Sequence, residues 1–156
     1  MIILDNSVLS AFKRLGALGL IRQLFGDVVI TPGVLGEFSK KWGRHELPCW
    51  VVVRELDEEM SREAGALGLG RGEAESIVLA RHLGCPLALD DRRAREVAKH
   101  EGVLVIGSVG ILRLAFEYCP VETRRELEKL LARLGEDVYL EDWLVEWALS
   151  AEKRAR

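Results

Sequence analysis

Apolar residues run along this chain in two rhythms. Short unbroken apolar runs at 2–4, 28–30, 50–53, 86–89 and 103–106 have the length of strands buried on both faces. Between them apolar side chains recur every third or fourth position, the period of a helix packed on one side. Val8, Leu9, Phe12 and Leu15 make the first such set, and Leu18 to Phe25, stopped by Gly26, the second. Val34, Leu35 and Phe38 mark the third, opened by Thr31 as cap and Pro32 in the first turn. Further helices are expected over 57–67, from the glycines at 65, 68, 70 and 72 into Ala74, Ile77, Val78 and Ala80, and over 92–101. Another follows Gly107-Ser108-Val109-Gly110, and the rest of the chain reads as helical over 121–134 and 140–151. The polar stretch 42–48 reads as a loop, and Asn6 or Ser7 as the cap of the first helix. Strands alternating with helices require crossover connections, hence a parallel sheet with helices on its faces. Open sheets of this kind place their sites at the carboxyl ends of strands, near the topological switch point.

Composition narrows this picture without changing it. The 156 residues, 49% hydrophobic and 30% charged, suit one globular domain and exclude a disordered chain. No apolar run nears the roughly 20 residues of a membrane span, and the start MIILDNSVL has no basic region, so a cytoplasmic protein is expected. Cys49, Cys85 and Cys119 form no C-x-x-C and read as small buried hydrophobes; His45, His82 and His100 lack metal-ligand spacing. A net charge of −3 argues against a broad basic face for nucleic acid. It leaves room for a small site where bound cations supply the positive charge.

The candidate chemistry is acidic. The first strand runs into Asp5 and the fourth into Asp90-Asp91. Glu37 lies in the second turn after the second strand; Glu73 and Glu75 open the helix that leads to the fourth. A parallel sheet can gather these positions at one rim. Each has a plain alternative. Asp5 can cap a helix, although Asn6 and Ser7 can also do so and free it. Glu37 can be a solvated helix residue, and of Asp90 and Asp91 one can cap the helix at Arg92. Gathered carboxylates repel one another and need a divalent cation; oxygen-only ligands favour Mg²⁺ or Mn²⁺ over zinc or copper. A water on such an ion is a nucleophile for phosphodiester hydrolysis.

Five segments, LDNSVL at 4–9, TPGVLGEF at 31–38, GEAESIVLA at 72–80, LALDDRRAREVA at 87–98 and VIGSVGIL at 105–112, resemble a PIN domain in type and order. The GEAE and DDRRAR versions are similar to a prokaryotic branch related to the toxin nucleases of toxin–antitoxin pairs. The resemblance covers about residues 1–118, leaving 119–156 as a helical extension of the same domain. It implies a three-layer α/β/α fold with a five-stranded parallel sheet and extra C-terminal helices. It also implies a divalent-metal ribonuclease, commonly a homodimer, with an antitoxin protein as partner. By position it makes Asp5, Glu37, Glu73 and Asp91 the catalytic metal ligands, with Asp90 and Glu75 as alternatives. Ser7 matches a hydroxyl residue that supports the first acid, and Asn6 and Ser108 are further supporting candidates. Glu73 stands where the family often has Asp. Arg92, Arg93, Arg95 and Arg71, beside the acids, can hold substrate phosphates or simply form a solvated, ion-paired face. Lys153, Arg154 and Arg156 read as a disordered basic tail able to touch RNA, and the Trp-rich end can pack on the core or on a second copy.

Two rivals remain. A phosphoacceptor receiver domain needs an acid pair after the first strand and a lysine after the fifth, where this chain has Gly-Ser-Val-Gly. An inactive PIN-like module that binds RNA or a protein without cutting is the other; filled acid positions speak against it.

Overall fold

The computed structural model describes residues 1–118 and 120–155. Its sheet is formed by β1 (Ile2–Leu4), β2 (Val28–Ile30), β3 (Val51–Val53), β4 (Leu87–Ala88) and β5 (Val105–Ile106). All neighbouring strands are parallel, in the order β3-β2-β1-β4-β5. The central strands are apolar throughout because helices cover both their faces: Ile2, Ile3, Leu4 and Ile30 have no exposed surface. At the edges the demand relaxes, and Val52 of β3 is 53% exposed. The last two strands are shorter than their apolar runs. Pro86, Leu89, Val103 and Leu104 flank them, where the chain turns between sheet and helix.

Alternation along each strand sorts the helices into layers. Ile2, Leu4, Val28, Ile30 and Ala88 pack with α1 (Asn6–Leu15), α2 (Leu18–Phe25), α3 (Pro32–Trp42) and α7 (Ser108–Glu117). Ile3, Val29 and Leu87 pack on the opposite side with α5 (Arg71–Leu83) and α6 (Arg92–His100). The fold is therefore three-layered α/β/α. Beside this second layer, α4 (Glu58–Gly65) lies against α5 through Ala64, Ala74 and Val78. Outside the first layer, α8 (Arg124–Asp137) and α9 (Asp142–Leu149) bury Leu127, Leu131, Leu134 and Ala148 against it.

Local chemistry sets the boundaries. Thr31 caps α3 through the Val34 N–H at 3.3 Å, with Pro32 following. Asp57 caps α4 through the Met60 N–H at 2.8 Å. The left-handed Gly16 (φ 65°) ends α1 by donating to Lys13 and Phe12 carbonyls. The stretch read as a loop after Trp42 contains a 3-10 turn over Arg44–Glu46.

Three expectations need correction. Cys49 is exposed and Cys85 half-buried, because one lies before an edge strand and the other at the end of α5; Cys119 falls outside the described residues. The basic tail docks: the Lys153 ammonium donates to the Val121 carbonyl and lies 4.4 Å from the Phe116 ring centre. Arg154 pairs with buried Glu117 at 3.4 Å, which Arg113 also holds at 2.7 Å; Arg156 lies outside the described residues. Finally, Asp5 itself caps α1, which neither Asn6 nor Ser7 does. No helix of the described residues is long and apolar enough to cross a membrane.

Candidate active site

Strand order reverses direction between β1 and β4, the crevice in which open sheets bind ligands. Asp5 leaves β1 there and Asp90 follows β4, tied by the Asp5 N–H donating to the Ala88 carbonyl at 2.9 Å. Ser7 bridges them: its hydroxyl donates to Asp5 Oδ2 at 2.9 Å and accepts from the Asp90 N–H at 3.4 Å. The Ser7 N–H adds a 3.2 Å bond to the same Oδ2, which makes Asp5 the cap of α1. That duty occupies one oxygen only. Asp5 is 3% exposed, and its Oδ1 is buried without a hydrogen-bond partner.

The pair at 90–91 divides its tasks. Asp91 caps α6, accepting the Ala94 N–H at 2.8 Å, and is exposed. Asp90 is half-buried and accepts twice from Ser108, from its N–H at 2.8 Å and its hydroxyl at 2.6 Å. Ser7 and Ser108 thus each hold an acid of the cluster. Asn6 does not; it accepts the Ser10 hydroxyl at 3.0 Å, and Ser10 in turn accepts the Trp42 indole N–H at 3.2 Å.

The glutamates come from α3 and α5, which meet closely at two glycines. A Cβ on Gly72 would stand 2.3 Å from Glu37 Oε1, and one on Gly33 would stand 2.7 Å from Glu75 Oε2. Glu75 is nearly buried, and both of its oxygens are committed. Oε2 accepts the Gly33 N–H and Oε1 the Arg71 Nε–H, each at 2.7 Å. As the alternative to Glu73 it therefore has a different task, pinning the start of α3 to α5. Residues two apart on a helix do not share a face, and Glu73 is left to the acids.

Electrostatics record which acids the fold gathers. Burial pushes the Asp5 carboxyl above the usual carboxylate range; its Ser7 hydrogen bonds and the nearby backbone N–H of Asn6 oppose this and the Asp90 charge adds to it. Burial also raises Glu37, helped by the Asp5 and Glu75 charges. Glu73 is raised by burial and then by Asp5, Asp91 and Glu37, with Arg93 opposing. Asp5, Glu37, Glu73 and the 90–91 pair thus share one field. Among the described residues no three His, Cys, Asp or Glu side chains already stand as a ready coordination shell, so side chains must turn to make one. The donor set is nonetheless all oxygen, and Asp5 Oδ1 is an orphaned buried acceptor, which fits a hard divalent ion.

The arginines separate as well. Arg93 donates to the Gly68 carbonyl at 3.3 Å and acts on Glu73, so it borders the acids. Arg71 borders them from α5 through Glu75. Arg92 is instead paired with Glu96 at 3.8 Å along α6. Arg95 donates to the Leu89 carbonyl at 2.9 Å, and both it and Asp90 approach Gly107.

A family model described as a PIN domain matches residues 1–153. Among solved structures the chain is similar to a PilT N-terminus domain protein from the hyperthermophilic archaeon Sulfolobus solfataricus P2. The two share 20% identity and a TM-score of 0.53, with 90% of this chain and 98% of that one covered. No curated protein matches.

Proposed function

The chain belongs to the PIN-domain family, whose members are commonly nucleases that use divalent metals, and on that footing we propose a metal-dependent ribonuclease. Mg²⁺ or Mn²⁺ is held by Asp5, Glu37, Glu73 and one acid of the 90–91 pair. That acid is Asp91, through the oxygen its helix cap leaves over, or Asp90 in its place.

One observation carries this reading: Asp5 Oδ1 is buried without a donor beside other acids. A buried, unpaired carboxylate oxygen is costly, and neighbouring negative charge adds to the cost. A divalent cation offsets both at once. When bound, such an ion supplies an activated water and offsets charge building on the phosphate. The protein's own groups do the rest. Ser7 fixes Asp5 with one oxygen to spare, and Ser108 orients Asp90. Glu75 keeps Glu37 opposite the start of α5. Arg93 and the exposed end of Arg71 bind phosphate oxygens.

The test is cleavage of mixed RNAs with Mn²⁺ or Mg²⁺, by the wild type and by Asp5→Asn, Asp90→Asn and Asp91→Asn. The wild type cuts, Asp5→Asn loses at least about a hundredfold, and the more damaging of the other two identifies the fourth ligand. Equal cutting by Asp5→Asn sinks the mechanism; RNA binding without cutting makes the chain the inactive module. The toxin role, its antitoxin partner and a homodimer belong to the same proposal. A small neighbouring reading frame whose product blocks cleavage would support the first two, and sedimentation would decide the last.

A further inference from the structure

A groove of about 810 Å³ begins at Asp90 and Ser108 and runs away from the acids. One wall is α6 and the other is the segment from Tyr139 through α9, with Ile106 and Gly110 between. The walls differ in chemistry. On α6, Arg92, Arg95, Glu96 and Lys99 line the groove; Glu96 lies 3.8 Å from Arg92, Arg95 keeps guanidinium N–H groups beyond the one given to the Leu89 carbonyl, and Lys99 has no acid paired with it among the described residues. The facing wall carries Tyr139 (87% exposed), Trp143 (62%) and Trp147 (43%), spaced four residues apart, together with Glu141, which accepts the Trp143 indole N–H at the ring edge. Arg113 covers one face of the Trp147 ring at 4.4 Å.

Large rings left this open beside a cationic wall require an explanation that packing does not give. Leu144, Val145 and Leu149 already hold α9 to the core. A cationic wall opposite an aromatic one is the arrangement that single-stranded nucleic acid uses, phosphates on one side and bases on the other. A duplex keeps its bases stacked on each other and has no use for the rings. Continuity with Asp90 makes the occupant the same strand whose phosphate reaches the acids. We propose that this groove is a base-stacking subsite for unpaired nucleotides flanking the scissile phosphate, with Trp143 as its principal plate and Arg95 and Lys99 as its phosphate contacts. The proposal rests on the ribonuclease reading and adds the surface that selects an unpaired strand.

The experiment is titration of a ten-nucleotide single-stranded oligoribonucleotide into the full chain in EDTA, which prevents cleavage, followed by tryptophan fluorescence and anisotropy. The wild type binds with quenching. Trp143→Ala weakens binding tenfold to a hundredfold, the range expected for losing one stacked base. Trp143→Phe recovers most of it, Lys99→Glu weakens it and flattens its salt dependence, and an oligonucleotide with abasic sites binds as poorly to the wild type as the intact one does to Trp143→Ala. Trp143 is mostly exposed, and matching melting temperatures establish that the variants fold. Unchanged binding by Trp143→Ala and Lys99→Glu, or equal binding of intact and abasic strands, overturns the subsite. If the wild type still cuts RNA in Mn²⁺, the ribonuclease reading survives that loss. If it neither cuts nor binds, both fail. If Trp143→Ala instead dissociates a dimer and leaves oligonucleotide binding intact, the groove is a contact between copies, which also overturns the proposal.

Discussion

Replacing Glu75 by alanine removes a buried acceptor that links the start of α3 to α5. The Gly33 N–H, buried and bonded at 2.7 Å, is then left without a partner. An unsatisfied buried donor costs about 1–3 kcal/mol. The carboxylate also lies at the positive end of α3, where a charge contributes about 0.3–1 kcal/mol. Arg71 adds little, because its side chain is 72% exposed and such pairs contribute about 0–1 kcal/mol. Together these come to about 1–5 kcal/mol, a sizeable part of a typical folding free energy of about 5–15 kcal/mol. At a urea slope of about 2 kcal/mol/M the unfolding midpoint falls by about 0.5–2.5 M. Glu75→Gln keeps an oxygen acceptor and loses only the charge, so its midpoint falls by less than half as much. Equilibrium urea unfolding followed by circular dichroism measures both. An alanine midpoint within about 0.3 M of wild type, or equal losses in the two variants, would refute the assignment of Glu75 to holding the helices together.

Two further outcomes follow from the same geometry. Asp5, Glu37 and Glu73 titrate above their ordinary values of 3.8, 4.5 and 4.5 in the folded chain. Within that window the native state binds more protons than the unfolded one, so this contribution to stability falls as pH rises. In EDTA, Asp5→Asn therefore melts above wild type by a margin that grows from pH 4.5 towards neutrality, and Mn²⁺ stabilises the wild type alone; a margin that shrinks with pH contradicts the buried-charge account. Gly72→Ala places a methyl group 2.3 Å from Glu37 Oε1, a flexible end that can swing aside. Its melting temperature stays within a few degrees of wild type while calorimetric Mn²⁺ affinity drops about tenfold; equal losses in both would show that the glycine serves packing instead.

Much of the frame is legible in the amino-acid sequence alone. The unbroken apolar run at 2–4 and the Thr31-Pro32 start of α3 carry their structural meaning locally, and the structure keeps both. Position relative to a strand end is also written in the sequence, which puts the acids at 5, 37, 73 and 90–91 on one rim of a parallel sheet. What sequence could not assign is how one side chain divides its atoms. Asp5 caps α1 with one oxygen and leaves the other orphaned, a partition set by the backbone at Asn6 and Ser7. Asp90 and Asp91 are chemically identical neighbours, and only the turn into α6 decides that the second becomes its cap. The docked tail was hidden for another reason. Glu117 and Arg154 are 37 residues apart, and no local pattern announces that one is buried and awaits the other.

The division of the groove between two parts of the chain has a consequence for how such proteins diverge. The acids ride on elements between residues 5 and 91, inside the three-layer core, where most changes are punished by packing. The aromatic wall rides on the segment from Tyr139 through α9, whose inner side packs on the core through Leu144, Val145 and Leu149 while its rings point outward, with Arg113 bonded to the Trp147 carbonyl. Mutation can therefore rewrite the exposed rings of that wall while the acid cluster stays fixed. Among descendants of one ancestor, target preference would then drift quickly and chemistry slowly, and exchanging residues 139–149 between two of them should carry preference with it.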